Sequence, residues 1–360
     1  MNLRNKYPKV VLYWLLVGVI MVFVQVVLGG ITRLTESGLS ITKWDIVSGT
    51  LPPLTESDWL EAFEMYKATP QYSEINEGMS FSDFKFIYFW EYVHRLWARL
   101  MGFVFLFPFL YFMTKRYFDK EILINLSKVI LLSILAATFG WIMVASGLVL
   151  RPWVNAYKLS LHLIIAFSVY IMLLWTYFQA KYFVSWSLLG SRGKMVFGLF
   201  RWFGLILFIQ IFLGGILSGM RAAVVFPTWP DMSGELIPKI LFKSSEWSVE
   251  NFNEYDKSIF MPALIHFMHR CTAYILVVLA FIFMYNLKKT DLDGNNKPMS
   301  SKIILFLSIG LLAQVGLGIL TVVNSKGSVP VGLGVMHQAG AMLLVSITVV
   351  IFFILRPNQN

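Results

Sequence analysis

Cysteine is almost absent: the single Cys271 in 360 residues excludes an internal disulfide framework and every multi-cysteine metal or iron–sulfur site. A metal would have to be held by His, carboxylate or Met. Charge is scarce as well, at 14% of residues against about 25% in an ordinary soluble domain, while hydrophobic residues reach 57%. The apolar excess lies in long uninterrupted runs, which excludes a soluble multidomain enzyme. A formal charge of +10 does not indicate nucleic acid, because that partner requires a clustered basic face and here the bases fall in short loops between apolar runs.

What is present is a set of runs long enough to cross a bilayer as helices of roughly 20 residues. They lie at approximately 10–30, 86–113, 129–150, 159–180, 202–220, 262–287, 303–325 and 331–355. With the segment holding Arg4, Lys6 and Lys9 on one side, that side collects 16 Lys/Arg against 4 Asp/Glu, and the opposite connections hold 11 against 15. The positive-inside rule then places both termini in the cytoplasm. The first run is too long for a signal h-region and has no small-residue cleavage site, so it reads as the first span. The two outer connections, 31–85 and 221–261, are far longer than the inner ones, which puts function on that side. Within the first, Ser57 to Tyr66 carries early acids and aromatics at helical spacing before Pro70, and predicts a short interfacial helix that serves as a lid or as a plain solvated element.

The chain repeats itself. Gln25-Val26-Val27-Leu28-Gly29-Gly30-Ile31 returns as Gln210-Ile211-Phe212-Leu213-Gly214-Gly215-Ile216, 185 residues on, and Trp44, Ser48-Gly49 and Pro53 return as Trp229, Ser233-Gly234 and Pro238 at the same offset. Glu91-Tyr92-Val93-His94-Arg95 matches His266-Phe267-Met268-His269-Arg270 at an offset of 175, as does His162 with His337, so the two histidines stand 68 apart in each half. Each half has four spans starting from the same side. The expected fold is an all-α integral membrane protein of eight transmembrane helices, arranged as two parallel-repeat four-helix bundles related by a pseudo-two-fold along the membrane normal. The boundaries are 1–180 for the first bundle, 181–201 for a cytoplasmic linker and 202–360 for the second bundle.

His94 and His162 fall on the second and fourth helices of the first bundle, and His269 and His337 on those of the second, all roughly 5–12 Å below the outer surface at 1.5 Å per residue. Ionisable groups in a span are costly and mark function. Two imidazoles facing each other over a flat cavity suit the axial positions of a haem iron, whereas zinc wants a third or fourth ligand that no cluster supplies. A lone membrane histidine is more often an interhelical hydrogen-bonding residue; the repeated spacing of 68 overturns that reading for these four, and His266, with no partner, keeps it. Glu91 occupies the position that His266 takes in the second half and shares a helical face with His94. It suits proton transfer beside the iron, or an ion pair with Arg95 or Arg99 that anchors the helix. Arg95 and Arg270, like Arg151, Lys158 and Lys326, balance haem propionates or bind carbonyls; the sequence does not separate these. Gly29-Gly30 and Gly214-Gly215 remove side chains where a helix approaches a neighbour or a macrocycle. The 17 Met are scattered and read as membrane packing.

Taken in order, Gln-x-x-Leu-Gly-Gly at 25–30, Glu-x-x-His-Arg at 91–95, His162, His269-Arg270, His337-Gln338 and the long outer loop with Trp44 and Pro52-Pro53 resemble the haem A synthase family, which includes the mitochondrial assembly factor of cytochrome oxidase. The resemblance covers essentially all eight spans. It implies an oxidoreductase that converts haem O to haem A by oxidising a ring methyl to a formyl group through two successive hydroxylations. His269 and His337 would hold a permanent haem b, His94 and His162 the substrate haem, and Glu91 would be catalytic beside the reacting methyl. Some relatives carry a cysteine pair in the first outer loop; this chain resembles the longer-loop branch without it. The absence of an Arg- and Ser-rich presequence favours a bacterial cytoplasmic (inner) membrane. The lipid bilayer is the surrounding partner; the resemblance adds haem O synthase, cytochrome oxidase assembly proteins and a second copy of the chain as candidate partners. The competing readings are a two-haem electron-transfer cytochrome and a haem carrier or assembly protein without chemistry.

Overall fold

A computed structural model describes residues 7–43, 50–148, 152–182, 190–290 and 297–356. The helices are α1 (Lys9–Leu34), α2 (Glu56–Lys67), α3 (Pro70–Glu74), α4 (Phe81–Thr114), α5 (Lys120–Gly147), α6 (Ala156–Lys181), α7 (Gly190–Gly219), α8 (Ala222–Val225), α9 (Val249–Asn253), α10 (Phe260–Lys288), α11 (Lys297–Val323) and α12 (Val331–Leu355), and no named β-strand occurs among the described residues. Eight of them, α1, α4, α5, α6, α7, α10, α11 and α12, are long and apolar enough to cross a membrane. A helix is the form that satisfies its own backbone where no water is at hand. Polar residues mark the entries: Ser80 accepts from Asp83 N, Asp119 from Ile122 N, and Asn155 from the amides of Tyr157 and Lys158.

These helices outrun the apolar windows. α4 begins at Phe81 because its first turns leave the hydrocarbon region and pack instead against the 31–85 connection, where Phe63, Tyr66, Phe84 and Ile87 form a small aromatic core. α5 begins at Lys120, not at 129, because its first two turns carry Glu121, Asn125 and Lys128 and bury Ile122, Asn125 and Leu126 on one side only. The expected loop helix is α2, held at its start by a reciprocal pair in which the Thr55 hydroxyl accepts from Asp58 N and the Asp58 carboxylate accepts from Thr55 N. The backbone amide of Thr55 first, then the Thr55 side chain and the Leu54 amide, hold the Asp58 carboxyl below the usual carboxylate range. Trp44, Ser48 and Gly49 of the repeated loop motif and Arg151 lie outside the described residues.

α1 packs on both α4 and α6, and α5 on α6; in the second half α7 packs on α10, and α11 on α12. The halves meet where α6 lies against α7, α1 against α12, and α6 against α12. The halves differ in two seams: α10 also packs on α11, with no seam of that extent between α4 and α5, whereas α1 packs far more extensively on α6 than α7 does on α12. The largest buried cluster occupies the end at which α1 begins, with Leu15, Leu126, Phe167, Leu173, Phe200, Phe203, Phe283 and Leu307 all at or near zero exposure. Past it packing loosens before tightening again under the long loops: no residue is buried along α4 between Glu91 and Phe109, or along α10 between His266 and Leu276. His94 and His269 stand at the start of that loosely packed belt.

Candidate functional site

The site is built from four helix pairs, each placing a histidine against a glycine. A side-chain carbon on Gly29 of α1 would lie 3.3 Å from His94 Nε2, and one on Gly140 of α5 3.0 Å from His162 Cε1. In the second half, one on Gly214 of α7 would lie 3.1 Å from His269 Cε1 and one on Gly318 of α11 3.0 Å from His337 Cε1. Each imidazole thus lies in close contact with a bare stretch of neighbouring helix, where any side chain would crowd it. His94 and His162 are close enough to interact electrostatically, as are His269 and His337. Among the described residues no cluster of three or more His, Cys, Asp or Glu forms a metal cage.

Glutamines complete the pairs. Gln25 Nε2 donates to His94 Nε2 at 2.9 Å and to His94 O at 3.3 Å; the second acceptor is a carbonyl, which identifies the amide nitrogen. Gln210 Nε2 donates to His269 Nε2 at 3.1 Å, while its carbonyl accepts from Thr272 Oγ1. Gln314 Nε2 lies 3.2 Å from His337 Nδ1 and donates to His337 O at 3.0 Å. His162 differs, since its Nδ1–H donates to Ala136 O at 2.9 Å and leaves Nε2 with its lone pair. The Gln25 and Gln210 contacts are the same contact in the two halves. The repeat contains both residues, yet their partners become visible only when α1 meets α4 and α7 meets α10.

Glu91 is 2% exposed. Its Oε2 accepts from Ser40 Oγ at 2.7 Å and from Ile41 N at 2.8 Å, and its Oε1 from Arg95 at 2.6 Å, one turn along α4. Arg95 also donates to Ile41 O at 3.2 Å. Glu91 and Arg95 therefore clasp the backbone just beyond α1, and Ser40, buried to 1%, is a residue that sequence reasoning missed. Arg270 clasps the corresponding loop of the second half, donating to the carbonyls of Thr228 at 2.6 Å, Pro230 at 3.2 Å and Asp231 at 2.6 Å. His266 is buried to 1% with its ring 6.3 Å from that of Phe226. Of the other basic candidates, Lys158 sits in the first turn of α6 and Lys326 just beyond α11.

The halves touch beside the histidines. A side-chain carbon on Gly30 would meet the Gln338 amide at 2.5 Å and one on Gly215 the Ser160 Cα at 2.8 Å, so both Gly-Gly pairs serve two surfaces. Gln338 Nε2 donates to Val26 O at 2.8 Å, Ser160 Oγ to Phe212 O at 2.5 Å, and the guanidinium of Arg33 to Ser218 O and Gly219 O at 2.7 and 3.3 Å. A cleft of about 360 Å³ between the halves, lined by Trp153, Arg221, Tyr255 and Lys257 among others, includes none of the four histidines. It is separate from the site just described.

A family described as cytochrome oxidase assembly protein matches residues 12–349. Proteins named heme A synthase are similar over nearly full length: that of Nitrosospira multiformis is 38% identical over 93% of this chain and 90% of its own. That of Bradyrhizobium diazoefficiens is 37% identical over 95% and 90%, and that of Flavobacterium psychrophilum 37% over 95% and 97%. Eight apolar helices, four histidines seated on glycines, and a match from the first span to the last place this chain in the haem A synthase family.

Proposed function

We propose that this chain oxidises a ring methyl of haem O to a formyl group, by way of the hydroxymethyl, and so makes haem A for cytochrome oxidase. The observation that carries the reading is the asymmetry at one repeated position: a buried, triply hydrogen-bonded Glu91 in the first half where the second has His266. Electron carriage through two equivalent haems has no use for a carboxylate in one half only.

The second half suits a permanent haem b. His269 Nδ1 is buried with no hydrogen-bond partner, and the glycine surfaces at Gly214 and Gly318 are cradles that a side-chain carbon would fill. His269 and His337 would hold the iron through imidazole nitrogens. A bound haem b supplies one-electron redox chemistry. The extra seam between α10 and α11 suits a resident group, whereas the more open side between α4 and α5 suits a haem that enters and leaves. His94 and His162 would bind that substrate, with Glu91 one turn from His94 to hold or move a proton at the reacting carbon. Arg95 and Arg270 fix the loops over the two sites through carbonyls, which supports a supporting role over a propionate role.

Two four-helix bundles related by a pseudo-two-fold, with boundaries 1–180 and 202–360, are supported by the paired contacts of α1 with α12 and of α7 with α6. The basic bias of the 114–128, 181–201 and 288–302 connections supports cytoplasmic termini in a bacterial inner membrane. Haem O synthase, oxidase assembly proteins and a second copy remain proposed partners on family grounds.

The test is expression in membranes with and without a haem O supply, followed by extraction and mass separation of the haems. Haem A or its hydroxymethyl precursor is expected only when both the chain and haem O are present, and Glu91→Gln should abolish it while haem b stays bound. Haem b alone in every condition, with haem O confirmed present, would instead establish the electron-transfer cytochrome.

A further inference from the structure

The loop after α1 and the loop after α7 sit at equivalent places in the repeat. At the offset of 185 that aligns Gly29-Gly30 with Gly214-Gly215, Glu36 aligns with Arg221, Ser40 with Val225 and Ile41 with Phe226. The alignment is structural as well, because Glu36 and Arg221 both adopt the left-handed region, at φ 58° and 52°. Each loop then covers the residue one turn before a site histidine. In the second half Phe226 stands beside His266, its ring 6.3 Å away and edge-on to the imidazole. In the first half Ser40 and Ile41 stand beside Glu91, and both the Ser40 hydroxyl and the Ile41 amide donate to one carboxylate oxygen. The two halves thus differ at two positions together: Glu91 with the hydroxyl of Ser40 in the first, His266 with Val225 at the aligned place in the second.

The two donors to Oε2 are not equivalent. Ile41 N is backbone, and any residue at 41 other than proline supplies it. Ser40 Oγ is the donor that the sequence chose, buried to 1% where an unpaired hydroxyl would be costly. Arg95 takes the other oxygen, so a carboxylate bound only by Arg95 and Ile41 N keeps one anchor on each oxygen but loses the second donor to Oε2, and with it part of the hold on that oxygen's position and charge.

We propose that Ser40 is a positioning residue for Glu91: its hydroxyl, as the second donor to Oε2, holds the carboxylate in its working position and speeds the oxidation through Glu91. The proposal rests on the reading of Glu91 as the catalytic group.

The experiment is steady-state kinetics of variants of the full chain, purified with haem b bound and assayed with haem O for hydroxymethyl and formyl products. Ser40→Ala should lower kcat by about ten- to a hundredfold, the range for losing one hydrogen bond to a charged group, with KM for haem O and the haem b spectrum unchanged. Ser40→Thr, which keeps the hydroxyl, should recover most of the rate. Glu91→Gln is the inactive reference. Native kcat in Ser40→Ala beside an inactive Glu91→Gln would overturn the positioning role and leave Glu91 standing; so would a Ser40→Thr as slow as Ser40→Ala. A fully active Glu91→Gln would overturn the reading beneath it. If Ser40→Ala sheds haem b, Ser40→Cys, of similar volume and with a weaker donor, carries the same expectation.

Discussion

Glu36 and Arg221, which occupy the same position in the two repeats, form an ion pair with each other at 2.7 Å across the seam between the halves. Both are about two-fifths exposed or slightly less, so the pair contributes no more than about 1 kcal/mol. Glu36→Arg is expected to lower the melting temperature slightly in detergent, since it sets two guanidinium groups together beside Arg33, and Arg221→Glu in the same chain should restore it. Equal melting of the single and the double variant would show that the two residues are not coupled.

The glycines at the seam should be far less forgiving. Gly215→Leu drives a side chain into the Ser160 backbone and is expected to cost about 1–3 kcal/mol and to reduce the folded, haem-containing yield. Gly102→Ala in α4, where an added carbon meets nothing within 4 Å, should be neutral or stabilising by roughly 0.5–1 kcal/mol. Thermal unfolding of the two proteins side by side checks both.

Removing either histidine of a pair should empty that half and spare the other. His269→Ala or His337→Ala is expected to strip the purified protein of haem b, and His94→Ala or His162→Ala to lose haem O while the haem b absorbance persists. Haem extraction from each variant decides; the reverse pattern would exchange the roles of the two halves.

Arg270 holds three loop carbonyls, so Arg270→Ala should raise hydrogen exchange across 228–232, and Arg270→Lys, a point charge without the planar fork, should recover only part of the protection. Native exchange in Arg270→Ala, joined to a change in haem content, would point instead to a propionate partner.

At the start of α2, Thr55→Ala removes the hydroxyl that accepts from Asp58 N and is expected to cost about 1 kcal/mol of local helix stability. Exchange of the amides at the start of α2 measures it. Haem A formation should be untouched if the helix is a plain surface element and reduced if it is a lid.

Much of this architecture could be read from the residues because membrane helices advertise themselves. A histidine in an apolar run is conspicuous, and four at repeated spacing nominate two candidate sites from the residues alone. The start of α5 was harder, since Glu121, Asn125 and Lys128 dilute the apolar signal although the segment is helical and half buried. Ser40 left no trace at all: it meets Glu91 across 51 residues of chain, and a serine after a glycine-rich helix end looks like any turn residue. Gln25 and Gln210 lay in the repeated motif in plain view, but their task depends on which helix comes alongside. The sequence shows that a position matters twice; only the packing shows what it faces.

The adjacency of Gly29 and Gly30 has a practical consequence. Successive helix residues point about 100° apart, so the peptide that bares one face to His94 bares the next to Gln338 of the other half, and Gly214-Gly215 does the same toward His269 and Ser160. A single-module version of this chain, cut in the 181–201 connection, would leave Gln338 without Val26 O and Ser160 without Phe212 O, both turned toward acyl chains. Anyone wishing to shrink the molecule to one half must first redesign that shared wall, and any change there will be registered first in how the imidazole behind it sits.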